Sequence, residues 1–216
     1  MPTHGRQPLR NKRRSEPCAV AGCQGVARWL PRSPYCLKHR QRQYRVGHPT
    51  MYVPTVTDLK KYRAPVQRAL SRHFDSPTMR WALRALERDL LNYRATNGYG
   101  YEVWTEARMQ ALKASEVKPL VLLQRLCECY ALYREEGHRL FPTPKTWFAW
   151  LARRILTTPR RCIVPTTSGA TQLKACGQVI EDVLGRFARA TLMRMDKDEA
   201  ERLEFRKSCE ALASTR

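Results

Sequence analysis

Missing from this chain is any apolar run of about eighteen residues, the length needed to cross a bilayer as a helix. No apolar stretch opens it either, so secretory export is not expected and a cytoplasmic location is. Strand-type alternation is absent outside one short N-terminal segment, and no internal repeat of useful length is found. The chain has no phosphate-cradling G-x-x-x-x-G-K-[ST] loop, no H-E-x-x-H pair and no G-x-S-x-G elbow, which removes the common nucleotide hydrolase, metalloprotease and serine hydrolase signatures. Acid is scarce as well: 19 Asp and Glu stand against 40 Lys and Arg, for a formal net charge of +21. A surface so one-sided in charge points to a polyanionic partner, with nucleic acid ahead of an acidic membrane or an acidic protein.

What is present is unevenly spread. Residues 1–50 hold eleven Lys and Arg and a single acid, Glu16, leaving the other +11 to the remaining three quarters of the chain. Hydrophobic residues make up 43%, enough for a globular core, so wholesale disorder is not expected. Without export, the eight cysteines do not read as a disulfide framework. Cys127 and Cys129 sit two apart on a helical pattern and so point about 200° apart, poor geometry for gripping one ion. These two, with Cys162, Cys176 and Cys209, read as buried free thiols.

The other three cysteines form a pattern. Cys18-Ala-Val-Ala-Gly-Cys23 is followed by twelve residues and then Cys36-Leu-Lys-His39. Two close pairs joined by a loop are how tetrahedral zinc is held, each pair gripping the ion from one tight turn. Gly22, beside Cys23, suits a knuckle that needs positive φ. All four positions are filled by protein, so the zinc is structural, with no open position for catalysis. Trp29 and Tyr35, in the loop, are placed either to pack over the metal or to stack on a base. Cys18-x4-Cys23 and Tyr35-Cys36-x2-His39, followed by Arg42, Arg45, Gly47 and Pro49, resemble the small zinc fingers of bacterial and phage mobile-element proteins, many of them associated with HNH endonucleases. The resemblance covers about 32 residues and implies a zinc-binding module that contacts nucleic acid.

Around this module the chain divides into three. Residues 1–17 carry Arg10, Lys12, Arg13 and Arg14 with no apolar periodicity, which reads as a disordered basic arm able to lie along phosphates. Residues 18–54 are the finger and its linker. In them Arg40, Arg42 and Arg45 follow the second ligand pair on a short helix, until Gly47, Pro49 and Pro54 stop it. Residues 55–216 read as an all-α domain of five to seven helices. Thr57 is placed to cap a helix reaching His73, with Pro65 kinking it or marking its true start. Ser76-Pro77 opens the next, with Leu83, Leu86, Leu90 and Tyr93 at helical spacing and Asn97-Gly98 as its end. Thr105 is a cap for a short helix. Ser115 to Glu136 is the expected central helix, lined by Leu120, Leu123, Cys127, Tyr130 and Leu132 and closed by Gly137. Thr143-Pro144 starts another, whose Trp147, Phe148 and Trp150 read as core. Arg153, Arg154, Arg160 and Arg161 gather at its far end as a second basic cluster. Thr171 to Met195 is helical again, and Asp196 to Glu199 look like acids at the start of a last helix, where they would complement its dipole. That last helix is charged and amphipathic, a candidate for docking a partner.

An HNH nuclease needs a histidine base with further ligands grouped around it. His4, His48, His73 and His138 are scattered, and no pair of carboxylates is arranged for Mg²⁺, so the chain reads more as a non-enzyme than as an enzyme. A recombinase with a serine or tyrosine nucleophile stays open, although no ordered Arg and His set accompanies one. The expectation is therefore a zinc-dependent nucleic-acid-binding protein of a bacterial or phage mobile element, with double-stranded DNA favoured over RNA. The alternatives are a structural subunit of a ribonucleoprotein or recombination complex, meeting RNA or a protein partner through the helical domain, and, more weakly, a cryptic nuclease.

Overall fold

Seven α-helices and one two-residue ribbon make up the computed structural model, which describes residues 16–27, 33–97, 100–157 and 169–214 (backbone alone at 208, 209 and 211–214). Of the described residues 73% are helical, so the mainly-α expectation holds. Strand β1 (Glu16–Pro17) pairs antiparallel with β2 (Val26–Ala27), setting Glu16 opposite Ala27 and Pro17 opposite Val26. Helix α1 (Leu37–Val46) ends on Gly47, whose φ of 83° is the left-handed conformation glycine adopts without penalty.

Local signals set most helix starts. Helix α2 (Val56–Arg72) is capped two residues before the expected Thr57. Thr55 is the N-cap, and Asp58 Oδ2 accepts from the Thr55 amide at 2.6 Å and from its hydroxyl at 2.8 Å. Pro65 lies inside α2 rather than at its start. Helix α3 (Pro77–Ala85) has its expected cap, with Ser76 Oγ accepting from the Met79 amide at 3.2 Å. It ends earlier than the leucine spacing suggests. Residues Leu86–Leu90 widen into a π turn closed by the Leu91 amide on the Leu86 carbonyl, which still buries Leu86 and Leu90 fully. Helix α4 (Tyr101–Ala114) starts on Gly100; Thr105 lies within it, buried, its hydroxyl donating to the Tyr101 carbonyl.

The centre is α5 (Pro119–Leu140), which buries Leu122, Leu123, Leu126, Cys127, Cys129 and Leu132. Each such leucine contributes about 2 kcal/mol by leaving water. Leu120, expected to line it, is 39% exposed, and Gly137 continues the helix rather than closing it. Helix α6 (Pro144–Ile155) starts on Thr143, whose side chain accepts from the Thr146 amide. Its indoles are core: Trp147 and Trp150 are 3% and 1% exposed and pack with Phe141 and Tyr133, Trp147 stacking on Tyr133 at a ring separation of 4.2 Å.

Helix α7 (Ala170–Ser214) runs unbroken for 45 residues and packs chiefly on α6, also touching each of α1 to α5. Asp196 to Glu199 are thus in mid-helix, not at a start. Long-range partners explain their acidity: Asp196 pairs with Arg134 of α5 at 2.8 Å and Asp198 with Arg72 of α2 at 2.9 Å. One apolar cluster extends from Val46 and Met51, through the helices, to Leu192. The stretch between finger and helices is therefore part of the core. Pro54 is pinned to α6, its carbonyl accepting from Trp150 Nε1 at 2.9 Å and from an Arg154 guanidinium N–H at 2.5 Å. No helix is long and apolar enough to cross a membrane among the described residues.

Candidate metal centre and basic surface

The β1–β2 ribbon and the start of α1 bring four side chains to one point. The Cys18 amide donates to the Gly25 carbonyl at 3.0 Å, closing the ribbon, and the Cys23 amide donates to the Val20 carbonyl at 3.1 Å, folding the four intervening residues into a knuckle. Gly22 has φ 73°, as a turn of that shape requires. Cys36 is the N-cap of α1 and His39 stands three residues on, so both face the ribbon from one helical turn.

The ligand atoms of Cys18, Cys23, Cys36 and His39 all lie within 4.8 Å of one another, the one such grouping among the described residues. Cys23 and Cys36 Sγ are 3.9 Å apart, and His39 Nδ1 is 3.3 Å from Cys18 Sγ and 3.4 Å from Cys36 Sγ. A tetrahedron with metal–sulfur bonds near 2.3 Å and a metal–nitrogen bond near 2.0 Å has S–S edges of about 3.8 Å and S–N edges of about 3.5 Å. These three separations are close to those edges. Two amides also point at sulfur, Cys36 N–H at Cys18 Sγ and Gly25 N–H at Cys23 Sγ, both at 3.3 Å, as they would at thiolates.

The thiols themselves describe the charge the site wants. Burial pushes the Cys18 thiol up, but the Cys36 and Val20 amides with the His39 and Cys36 side chains outweigh it and bring it down to about 6. At Cys23 the Gly25 amide favours the thiolate, yet burial and the neighbouring Cys36 and Cys18 raise its pKa. Three sulfurs so close cannot all ionise beside one another without a cation between them. The residues present can therefore hold a metal ion, and the three-sulfur, one-nitrogen set is compatible with zinc.

Gly25 is a site residue that the ligand spacing did not single out. A Cβ there would come within 3.0 Å of Cys36 Cβ and 3.1 Å of Cys36 Sγ, so the backbone must be bare for the second knuckle arm to pass. The signal available in sequence was a glycine two residues after a ligand cysteine.

Of the expected contact residues, Arg42 and Arg45 are exposed on α1 and Arg40 is half-buried. Lys38, Arg42 and Arg45 follow spacings of four and three and share one helix face, with Lys38 also exposed. Tyr35 is half-buried, while Trp29 lies outside the described residues. Arg10, Lys12, Arg13 and Arg14 of the basic arm lie outside them too, as do Arg160 and Arg161. Arg153 and Arg154 are half-buried, Arg154 turned inward to Pro54 and lying over the Trp150 ring at 5.7 Å. Cys127, Cys129 and Cys176 are fully buried thiols, and burial is the main cause that raises each, Cys127 to about 12. Cys162, and the side chain of Cys209, fall outside the description. Comparison with known proteins finds no matching family model, no similar curated protein and no similar solved structure.

Proposed function

We propose that this chain is a zinc-dependent nucleic-acid-binding protein that takes double-stranded DNA, in a bacterial or phage mobile-element setting. The supporting observation is the junction at Cys36: the helix that supplies Cys36 and His39 to the metal cluster is the same helix that exposes Lys38, Arg42 and Arg45 on one face. Zinc at Cys18, Cys23, Cys36 and His39 would fix the angle of that helix and stay closed to substrate. The exposed guanidiniums would neutralise phosphates, with counterion release supplying much of the affinity. Arg10, Lys12, Arg13 and Arg14 extend the footprint as an arm, and Arg160 and Arg161 add charge to the helical body.

The test is a salt titration of duplex binding by the full chain and by its Arg42→Gln/Arg45→Gln variant. Each lost phosphate contact should flatten the plot of log affinity against log salt by about 0.9. An unchanged slope would remove α1 from the interface. A second reading, a structural subunit that docks on protein or RNA, is favoured by Leu203 and Phe205, 53% and 71% exposed on α7. Stronger binding to structured RNA than to duplex DNA would select it.

A further inference from the structure

Below the Pro54 clamp, where α2 begins and α5 and α6 pass it, lies a cavity of about 310 Å³. Three guanidiniums line it from three helices: Arg63 of α2, Arg125 of α5 and Arg154 of α6. One carboxylate, Glu128, shares the lining, and its side chain is only 3% exposed. Asp58, the other acid that acts on Arg154, is engaged at the α2 cap by Thr55 and Tyr52. The cavity is thus short of negative charge. Glu128 Oε1 takes Gln124 at 2.9 Å and Arg63 at 3.5 Å. Arg125 and Arg154 turn one N–H each to neutral acceptors, the Thr157 carbonyl and the Pro54 carbonyl. The Nε of Arg154 is buried with no hydrogen-bond partner. Buried guanidinium donors ordinarily find an acceptor, and this unmet one adds to the surplus of positive charge around the cavity.

We propose that this cavity binds the phosphate of a phosphate monoester. Forked guanidiniums converging from three directions match a tetrahedral oxyanion with several oxygens better than a planar carboxylate, which one fork satisfies. Both contacts of Glu128 fall on Oε1, and its second oxygen accepts from a hydroxyl or N–H of the esterified group, selecting an ester over inorganic phosphate. Val56 and Leu59 give that group an apolar wall. Burial lowers the pKa of both Arg125 and Arg154, the strain on the charged forms that an anion relieves. The site goes beyond the finger and does not depend on it: Arg63 and Arg125 belong to the helical body, and the cavity works whether or not α1 meets nucleic acid.

A monoester reaches such a site from a free nucleotide or from the phosphorylated end of a strand. Calorimetric titration at high salt, using the full chain, would compare adenosine 5′-monophosphate, adenosine, and one oligonucleotide with and without a 5′-phosphate. Binding of the mononucleotide but not adenosine assigns the free nucleotide; preference for the phosphorylated strand alone assigns the strand end. Either result should weaken at least about tenfold in Arg63→Gln and in Arg125→Gln, and stay unchanged in Arg84→Gln, an exposed α3 arginine. Arg63 is half-exposed, so its variant keeps the fold, which circular dichroism checks. Equal affinity with and without the phosphate, or unaltered binding in Arg63→Gln, overturns the proposal.

Discussion

Gly25 and Asp58 show how much can rest on single positions outside the ligand set. Alanine at 25 would press its Cβ on Cys36 and on Cys23 Sγ, 3.3 Å away, where neither can retreat without opening the cluster. Gly25→Ala should weaken metal retention about 10- to 100-fold, as loss of supporting contacts at metal sites does; competition with a chromophoric chelator measures it. Asp58 is held below its ordinary 3.8 first by the Thr55 amide, against burial, and further by the Thr55 and Tyr52 hydroxyls. A carboxyl with a depressed folded pKa contributes stability that is full above its unfolded value and is lost as pH falls through the folded one. Asp58→Asn should therefore lower stability at neutral pH and flatten the loss of stability between pH 3.8 and the more acid folded value, read from urea midpoints across that range. At this scale the metal ligands were legible because C-x4-C and C-x2-H each lie within one turn of chain. Arg63, Arg125 and Glu128 were not, since only packing of α2 on α5 brings residues sixty apart in sequence to one cavity.

Among the elements, α6 and α7 come into close contact at Gly177. An added Cβ there would lie 2.0 Å from the Phe148 carbonyl oxygen, a backbone atom that cannot rotate aside. Gly177→Ala should cost about 3 kcal/mol, the upper end of overpacking penalties, because the two helices must part to admit a methyl group; chemical denaturation gives the value. Helix starts with a chemical signature were readable in advance: Ser76-Pro77 and Thr143-Pro144 supply an oxygen for the first amides and a proline whose fixed φ suits the first turn. Interiors were harder. The acids at 196–199 imitate a helix start, and nothing local tells that Arg72 and Arg134 wait across the bundle to pair with them. The π turn at 86–90 was hidden for a related reason, as its leucines keep helical spacing while the backbone widens beneath them.

For the whole molecule, the metal cluster and the helical core are separable sources of order. The apolar cluster begins at Val46 and contains none of the four ligands. Removal of the metal by a chelator should leave the far-ultraviolet helical signal nearly intact, while amides from Cys18 to His39 lose protection from hydrogen exchange. Collapse of the helical signal on chelation would show that the finger holds the body together instead. The Pro54 carbonyl carries one more consequence. With Trp150 and Arg154 occupying it, and with Val46 and Met51 buried, the route from finger to body is held at several points along its length. If the α1 face and the cavity both take phosphate as proposed, engaging the first would present the second at a set distance and a high effective concentration. A ligand whose phosphates matched that interval would then gain avidity, and one with shorter or longer spacing would lose it, so that the protein would gauge length as well as charge.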